Sequence, residues 1–158
     1  MIQRIQTVYL ALAFIAIALL FAFPLAQFFA ENGAYIFSIT GLKNMVPGEP
    51  EAFNSLIFIP LLLLAIGIAL LIAVAIFNFK NRPYQVKLTN FGVIGSVVLI
   101  LAIFFLYVPM IEKKIGIVPD YSKAYGIYIP LIVLVLIVMA NRAIKRGERL
   151  VRSADRLR

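Results

Sequence analysis

Histidine, cysteine and tryptophan do not occur in this chain of 158 residues. Without imidazole or thiolate ligands the usual haem, zinc, copper and iron–sulfur sites cannot be built, so no metal and no cofactor is expected. Thiol–disulfide exchange goes with the cysteines. A serine hydrolase needs a base beside its nucleophile, and no histidine exists to serve. Charge is scarce as well. Asp, Glu, Lys and Arg make up 14% of the chain, where a soluble domain carries about 25%.

What fills the space is apolar, at 63% of residues. Four stretches hold no charged residue: Ile5 to Ala30 (26 residues), Ala52 to Phe79 (28), Leu88 to Ile111 (24) and Ala124 to Asn141 (18). A helix needs roughly 20 mainly apolar residues to cross a hydrocarbon core about 30 Å thick. The expectation is a single all-α membrane domain, a four-transmembrane-helix bundle. Its spans fall at about 5–29, 55–78, 88–110 and 125–141, its outer loops at 30–54 and 111–124, and a basic tail at 142–158. The first apolar run is longer than the 7–15 residues of a signal peptide's core, so it is read as an uncleaved span. Proton-driven carriers place an ionisable group inside the bilayer, and none of these spans contains one. The chain is expected not to be an enzyme; Glu112, Lys113 and Asp120 at the outer rim are the nearest reactive groups.

The basic residues set the orientation, because Lys and Arg concentrate on the cytoplasmic side. Arg4, then Lys80, Arg82 and Lys87, then Arg142, Lys145, Arg146, Arg149, Arg152, Arg156 and Arg158 share one side with Glu148 and Asp155, for a net +9. The other side nets −1. Both termini are therefore expected in the cytoplasm. Tyr9 and Tyr84 fall near the inner boundary, and Tyr107, Tyr121, Tyr125 and Tyr128 near the outer one, where interfacial anchoring explains them.

Residues 57–64 read Ile-Phe-Ile-Pro-Leu-Leu-Leu-Leu, and residues 127–134 read Ile-Tyr-Ile-Pro-Leu-Ile-Val-Leu. Phe23-Pro24 likewise corresponds to Val108-Pro109. The pattern suggests two tandem helical hairpins, parallel copies related by an axis along the membrane normal. Pro60 and Pro130 suit helix starts, where a missing N–H costs little. Pro24 and Pro109 are expected to end or kink their helices. All four lie in the outer half of the membrane.

Small residues every fourth position allow close helix approach. On that basis Ala18, Ala22 and Ala26, then Ala65, Ala69 and Ala73, then Gly92 and Ser96, are the expected packing stripes. Span four has none, and its Leu, Ile and Val face is expected to meet lipid or a partner. Gln27, Asn78 and Asn90 are placed at span ends and assigned to interfacial solvation. Ala34 to Thr40 is rich in strand formers, with Ile115 to Val118 a candidate partner for it, so a small outer β cap is expected. In the tail, Ile144, Val151, Ala154 and Leu157 fall near helical spacing. An amphipathic helix on the anionic inner leaflet is the reading preferred over nucleic-acid binding.

The opening Met1-Ile-Gln-Arg-Ile-Gln-Thr-Val-Tyr-Leu10 resembles an uncharacterised Bacteroidota inner-membrane family of short four-span chains with basic C-termini. The resemblance implies location and fold over essentially the whole chain. The family is one of unknown function and has no catalytic motif to carry over. Arg4 is expected to orient span one, and Gln3 and Gln6 to make interfacial hydrogen bonds.

The functional expectation is a non-enzymatic accessory or scaffold subunit of a larger inner-membrane complex. Its partners would be other membrane subunits and the bilayer, including anionic inner-leaflet lipids, with no nucleic acid and no metal. The alternative is binding or transport of a lipid or small apolar molecule in the outer half of the bundle.

Overall fold

The computed structural model describes residues 2–30, 33–45, 53–79, 81–116, 119–120 and 124–155. The first helix, α1 (Ile2–Leu19), buries Gln6, Leu10, Ala13 and Ile17 on one face, with Leu20 buried just past its end. Its end is set by Pro24, which has no N–H and disfavours helical backbone in the residue before it. The chain unwinds through Phe21, Ala22 and Phe23, whose N–H groups bond to Ala18 and Leu19 carbonyls at 3.0–3.1 Å. It then enters strand β1 (Ala26–Ala30). The outer part of the expected first span is thus strand, not helix. Period-two burial explains the switch: Ala26 and Phe28 point inward and Phe29 outward.

Strands β1, β2 (Gly33–Ser38) and β3 (Gly41–Asn44) form an antiparallel sheet in that order. The β2–β3 hairpin closes over Ile39 and Thr40, with Ser38 paired to Gly41. Gly41 takes φ 146°, which only glycine adopts readily. The β cap is therefore present, but built partly from residues assigned to span one. Its outer neighbour also differs from the expectation. Ile115 closes a helix, and the sheet instead meets Asp120, whose N–H donates to Gln27 O (2.6 Å) while Gln27 N–H donates to Asp120 O (3.1 Å). Ile117 and Val118 lie outside the described residues.

After Phe53 a 3₁₀ turn (Ser55–Phe58), capped by the Asn54 side chain accepting from Leu56 N, leads into α2 (Ile59–Phe77). A second 3₁₀ turn (Tyr125–Tyr128) leads into the last helix, α5 (Ile129–Asp155). The two turn-and-helix starts are 70 residues apart, and Pro60 and Pro130 occupy the same place in each first turn. Between them lie α3 (Arg82–Leu101), a π-helical turn (Ala102–Tyr107) and α4 (Val108–Ile115), one continuous helical stretch. Pro109 does not end this stretch. It cannot bond to the carbonyl four residues back, and the π turn in front of it absorbs the mismatch, with Val108 N–H donating to Ile103 O, five residues back. Gly116, at φ 78°, closes α4.

Among the described residues three helical stretches are long and apolar enough to cross a membrane: Ser55–Phe77, Arg82–Ile115 and Tyr125–Arg149. The third and fourth helical stretches run beyond their apolar segments, α3 starting at Arg82 and α5 continuing to Asp155. The tail is no separate surface helix, because residues 142–155 continue α5, which at 27 residues is about 40 Å long. Helix α1 is the short one, 18 residues or about 27 Å. It packs on α2 and α5, and α3 packs on the same two helices. Exchanging α1 with α3 and α2 with α5 leaves this set of neighbours unchanged, as two related hairpins require.

The core runs from Leu10, Ile17, Ile68, Leu99 and Ile137 between the helices to an aromatic cluster under the sheet. There Phe58 stacks on Tyr107 at 5.7 Å and meets Phe37 at 5.7 Å and Phe53 at 6.0 Å. Lys114 lies over the Phe53 ring at 4.2 Å. Tyr107 is 5% exposed and donates to Ile57 O (3.0 Å). It is a packing residue and not the interfacial anchor its position suggested, whereas Tyr84, Tyr125 and Tyr128 are exposed.

Candidate functional site

Apart from Ser96, which lies further along α3, the buried polar side chains inside the helical layer gather at the end opposite the sheet. Gln6 Nε2 on α1 donates to Ala143 O on α5 (3.1 Å). Asn141 Nδ2 on α5 donates to Thr89 Oγ1 (2.9 Å) and to Asn90 Oδ1 (2.7 Å) on α3. Gln85 Nε2 on α3 donates to Ala75 O on α2 (2.9 Å), one of the terminal carbonyls a helix leaves without an internal partner. Arg82 reaches from the start of α3 to Gly147 O on α5 (3.1 Å). Side chains thus join α1 to α5, α3 to α5 and α2 to α3 in that half.

Gln6, Gln85, Thr89 and Asn141 are all buried. Where lipid surrounds a helix, such groups find partners only in protein, and each interhelical bond contributes about 0.6 kcal/mol. Among the described residues one such atom is left over: Gln85 Oε1 is buried with no hydrogen-bond partner. The sequence reading missed this network because it searched the spans for charge. Its signal was the i, i+4 pair Gln85 and Thr89, and a lone Asn141 where span four turns basic. Asn90, assigned to interfacial solvation, sits inside α3 and accepts from Asn141. Asn78 does lie at a helix end, its amide donating to Val74 O (2.9 Å). Gln3 lies where side chains are not described.

Of the expected packing residues, Ala65, Gly92 and Ser96 are buried between helices. A Cβ on Gly92 would touch Ile137 at 3.6 Å, and one on Gly95 would press on Ile68 at 3.1 Å. Ala69 and Ala73 are half-buried. The stripe Ala18, Ala22 and Ala26 does not exist as a helix face. Ala18 points outward, Ala22 lies in the turn after α1, and Ala26 is buried in β1, because the helix stops before the repeat is complete. Ala13 and Ala16 take the role instead.

Outward-facing grooves flank this framework. Leu63, Leu64, Gly67, Ile68, Leu70, Leu71, Val74, Tyr84, Leu88 and Gly95 line one of about 520 Å³ between α2 and α3. A Cβ on Gly67 would meet nothing within 4 Å. A second, of about 330 Å³, lies between α1 and α5 and is lined by Ile5, Tyr9, Met139, Arg142, Ala143 and Arg146. Arg142, Lys145, Arg146 and Arg149 are exposed and line an adjoining cleft. Arg152 continues α5, while Arg156 and Arg158 lie outside the described residues. Among the described residues no three His, Cys, Asp or Glu side chains come together as metal ligands.

Comparison with curated proteins and with solved structures gives no match. Comparison with family models matches residues 2–157 to a domain of unknown function, DUF4293. The uncharacterised character implied by the opening ten residues is met by that match. The chain belongs to the DUF4293 family, across nearly its whole length.

Proposed function

We propose that this protein is a non-enzymatic, four-span inner-membrane protein, with both termini in the cytoplasm, that serves as an accessory or scaffold subunit of a larger membrane complex. The observation that carries the reading is the groove between α2 and α3. Its walls are Leu, Ile and Val, its floor includes Gly67 and Gly95, and it opens outward over the apolar face of two helices. Small residues on the floor allow a partner helix to approach closely, which is where packing energy comes from when the surroundings are already apolar. The amides of Gln6, Gln85 and Asn141 in the interior hold helices together, so they serve the frame. The aromatic cluster of Phe37, Phe53, Phe58 and Tyr107 fills the space beneath the sheet. This favours the subunit reading over a ligand site in the outer half.

Helix α1 enters the four-span reading as a short span, its polar start near Gln6 and its outer end handed to the sheet. The net +9 against −1 supports the orientation.

The chain has no cysteine, so Gly67→Cys provides a unique cross-linking position inside the groove. Cross-linking in native membranes is expected to trap one defined membrane protein at Gly67→Cys and not at an exposed control such as Phe105→Cys. Equal, diffuse labelling at both positions would contradict the reading.

A further inference from the structure

We propose that the groove between α1 and α5 is a binding site for an anionic phospholipid, with the phosphate held by Arg142 and Arg146 and the acyl region lying against Ile5, Tyr9 and Met139. The site is separate from the α2–α3 groove and does not depend on a partner filling it.

The lining is divided by chemistry. Met139 is the last exposed apolar residue of α5 before Arg142, and Ile5 on α1 is more than half exposed. Together with Tyr9 they offer an apolar wall, and the two guanidinium groups stand beyond it. Arg142 and Arg146 are four residues apart, neighbours on one helix face, where like charges repel unless an anion lies between them. The planar donor fork of arginine matches phosphate oxygens two at a time. A water-soluble phosphate would have no use for Ile5, Tyr9 and Met139, whereas an amphiphile with one anionic end uses both halves.

The groove is also held at fixed width. Gln6, next to Ile5, donates to the carbonyl of Ala143, which lines the groove beside Arg142. The two walls are therefore tied together at the level where the apolar lining gives way to the basic one. Lys145 and Arg149 belong to the adjoining cleft and not to this groove. They are the natural control, since bulk attraction of a basic tail to an anionic surface would use all four cations alike.

The test is native mass spectrometry of the full chain in mild detergent, titrated with phosphatidylglycerol or with phosphatidylcholine, with circular dichroism melting of each variant as the check on folding. The expected result is retention of one phosphatidylglycerol in preference to phosphatidylcholine. Binding should weaken about thirty-fold in Arg142→Gln/Arg146→Gln, about fivefold for each basic residue removed from a membrane surface. Lys145→Gln/Arg149→Gln should change it far less. Equal loss in the two double variants would overturn the site in favour of diffuse attraction. Displacement of the lipid by inorganic phosphate would show a soluble-phosphate site instead, and absence of lipid preference would remove the proposal.

Discussion

The backbone N–H of Gly126 donates to the carbonyl of Pro24 at 2.9 Å, and a Cβ on Gly126 would overlap that same carbonyl and lie 2.7 Å from Phe23 O. Two parts of the chain 102 positions apart therefore touch through bare backbone. Pro24 ends α1, and Gly126 lies in the turn before α5, so this contact fixes the sheet-side end of the first helix against the last.

Gly126→Ala should accordingly destabilise the fold. Pressing a methyl group into packed backbone costs about 1–3 kcal/mol, and the hydrogen bond is put at risk with it. Gly67→Ala is the contrast, since its Cβ meets nothing and alanine gains up to about 1 kcal/mol over glycine inside a helix. Thermal unfolding in detergent should place Gly126→Ala well below the parent and Gly67→Ala at or above it.

Asn141 and Gln85 separate a satisfied polar group from an unsatisfied one. Asn141→Ala removes both bonds to Thr89 and Asn90 and should cost about 1–2 kcal/mol. Gln85→Leu gives up one bond to Ala75 O but also removes the unpartnered Oε1, and deleting an unsatisfied buried group offsets much of the loss. A smaller effect for Gln85→Leu than for Asn141→Ala, read by denaturant titration, is the expected order.

Tyr107→Phe keeps the ring stack and deletes the hydroxyl that bonds Ile57 O. The expected cost is about 0.5–1.5 kcal/mol. Tyr107→Ala empties the stack between the π turn, Phe58 and Phe37, and should cost about 3–5 kcal/mol. If the two variants melt together, the aromatic cluster is not what holds the sheet to the helices.

Single cysteines report the orientation. A membrane-impermeant maleimide applied to intact cells should label Lys43→Cys and leave Lys87→Cys and Arg149→Cys unlabelled until the membrane is opened. The reverse pattern would invert the topology.

The sequence made the apolar spans plain, because a charge-free run of roughly 20 residues has few other uses. It also marked the strand formers Ala34 to Ser38 of β2, while Ile39 and Thr40 form the turn that follows. It misjudged residues 20–29, where Leu25 to Ala30 are uncharged and apolar but for Gln27. Only the position of Pro24 and the alternation of Ala26, Phe28 and Phe29 mark a strand, and hydrophobicity outweighed both. The π turn before Pro109 was hidden for a related reason: proline marks a broken bond but not how the helix repairs it. The clamps from Gln6, Gln85 and Asn141 are uncharged, so a search for charge passed over them. The grooves depend on which helices are neighbours, information no local pattern carries. The basic tail was legible as charge, yet its continuity with α5 was not, since helical spacing alone does not say where an axis points.

Affinity isolation of the tagged chain under gentle extraction, beside Gly67→Leu, followed by native mass spectrometry, tests the subunit reading most directly. Leucine at position 67 projects into the α2–α3 groove from a Cβ that meets nothing within 4 Å. The expected result is a defined membrane protein co-isolating reproducibly with the parent and lost from Gly67→Leu, with both chains folded. A parent that emerges alone, or a partner retained equally by Gly67→Leu, would contradict a subunit docked through this groove.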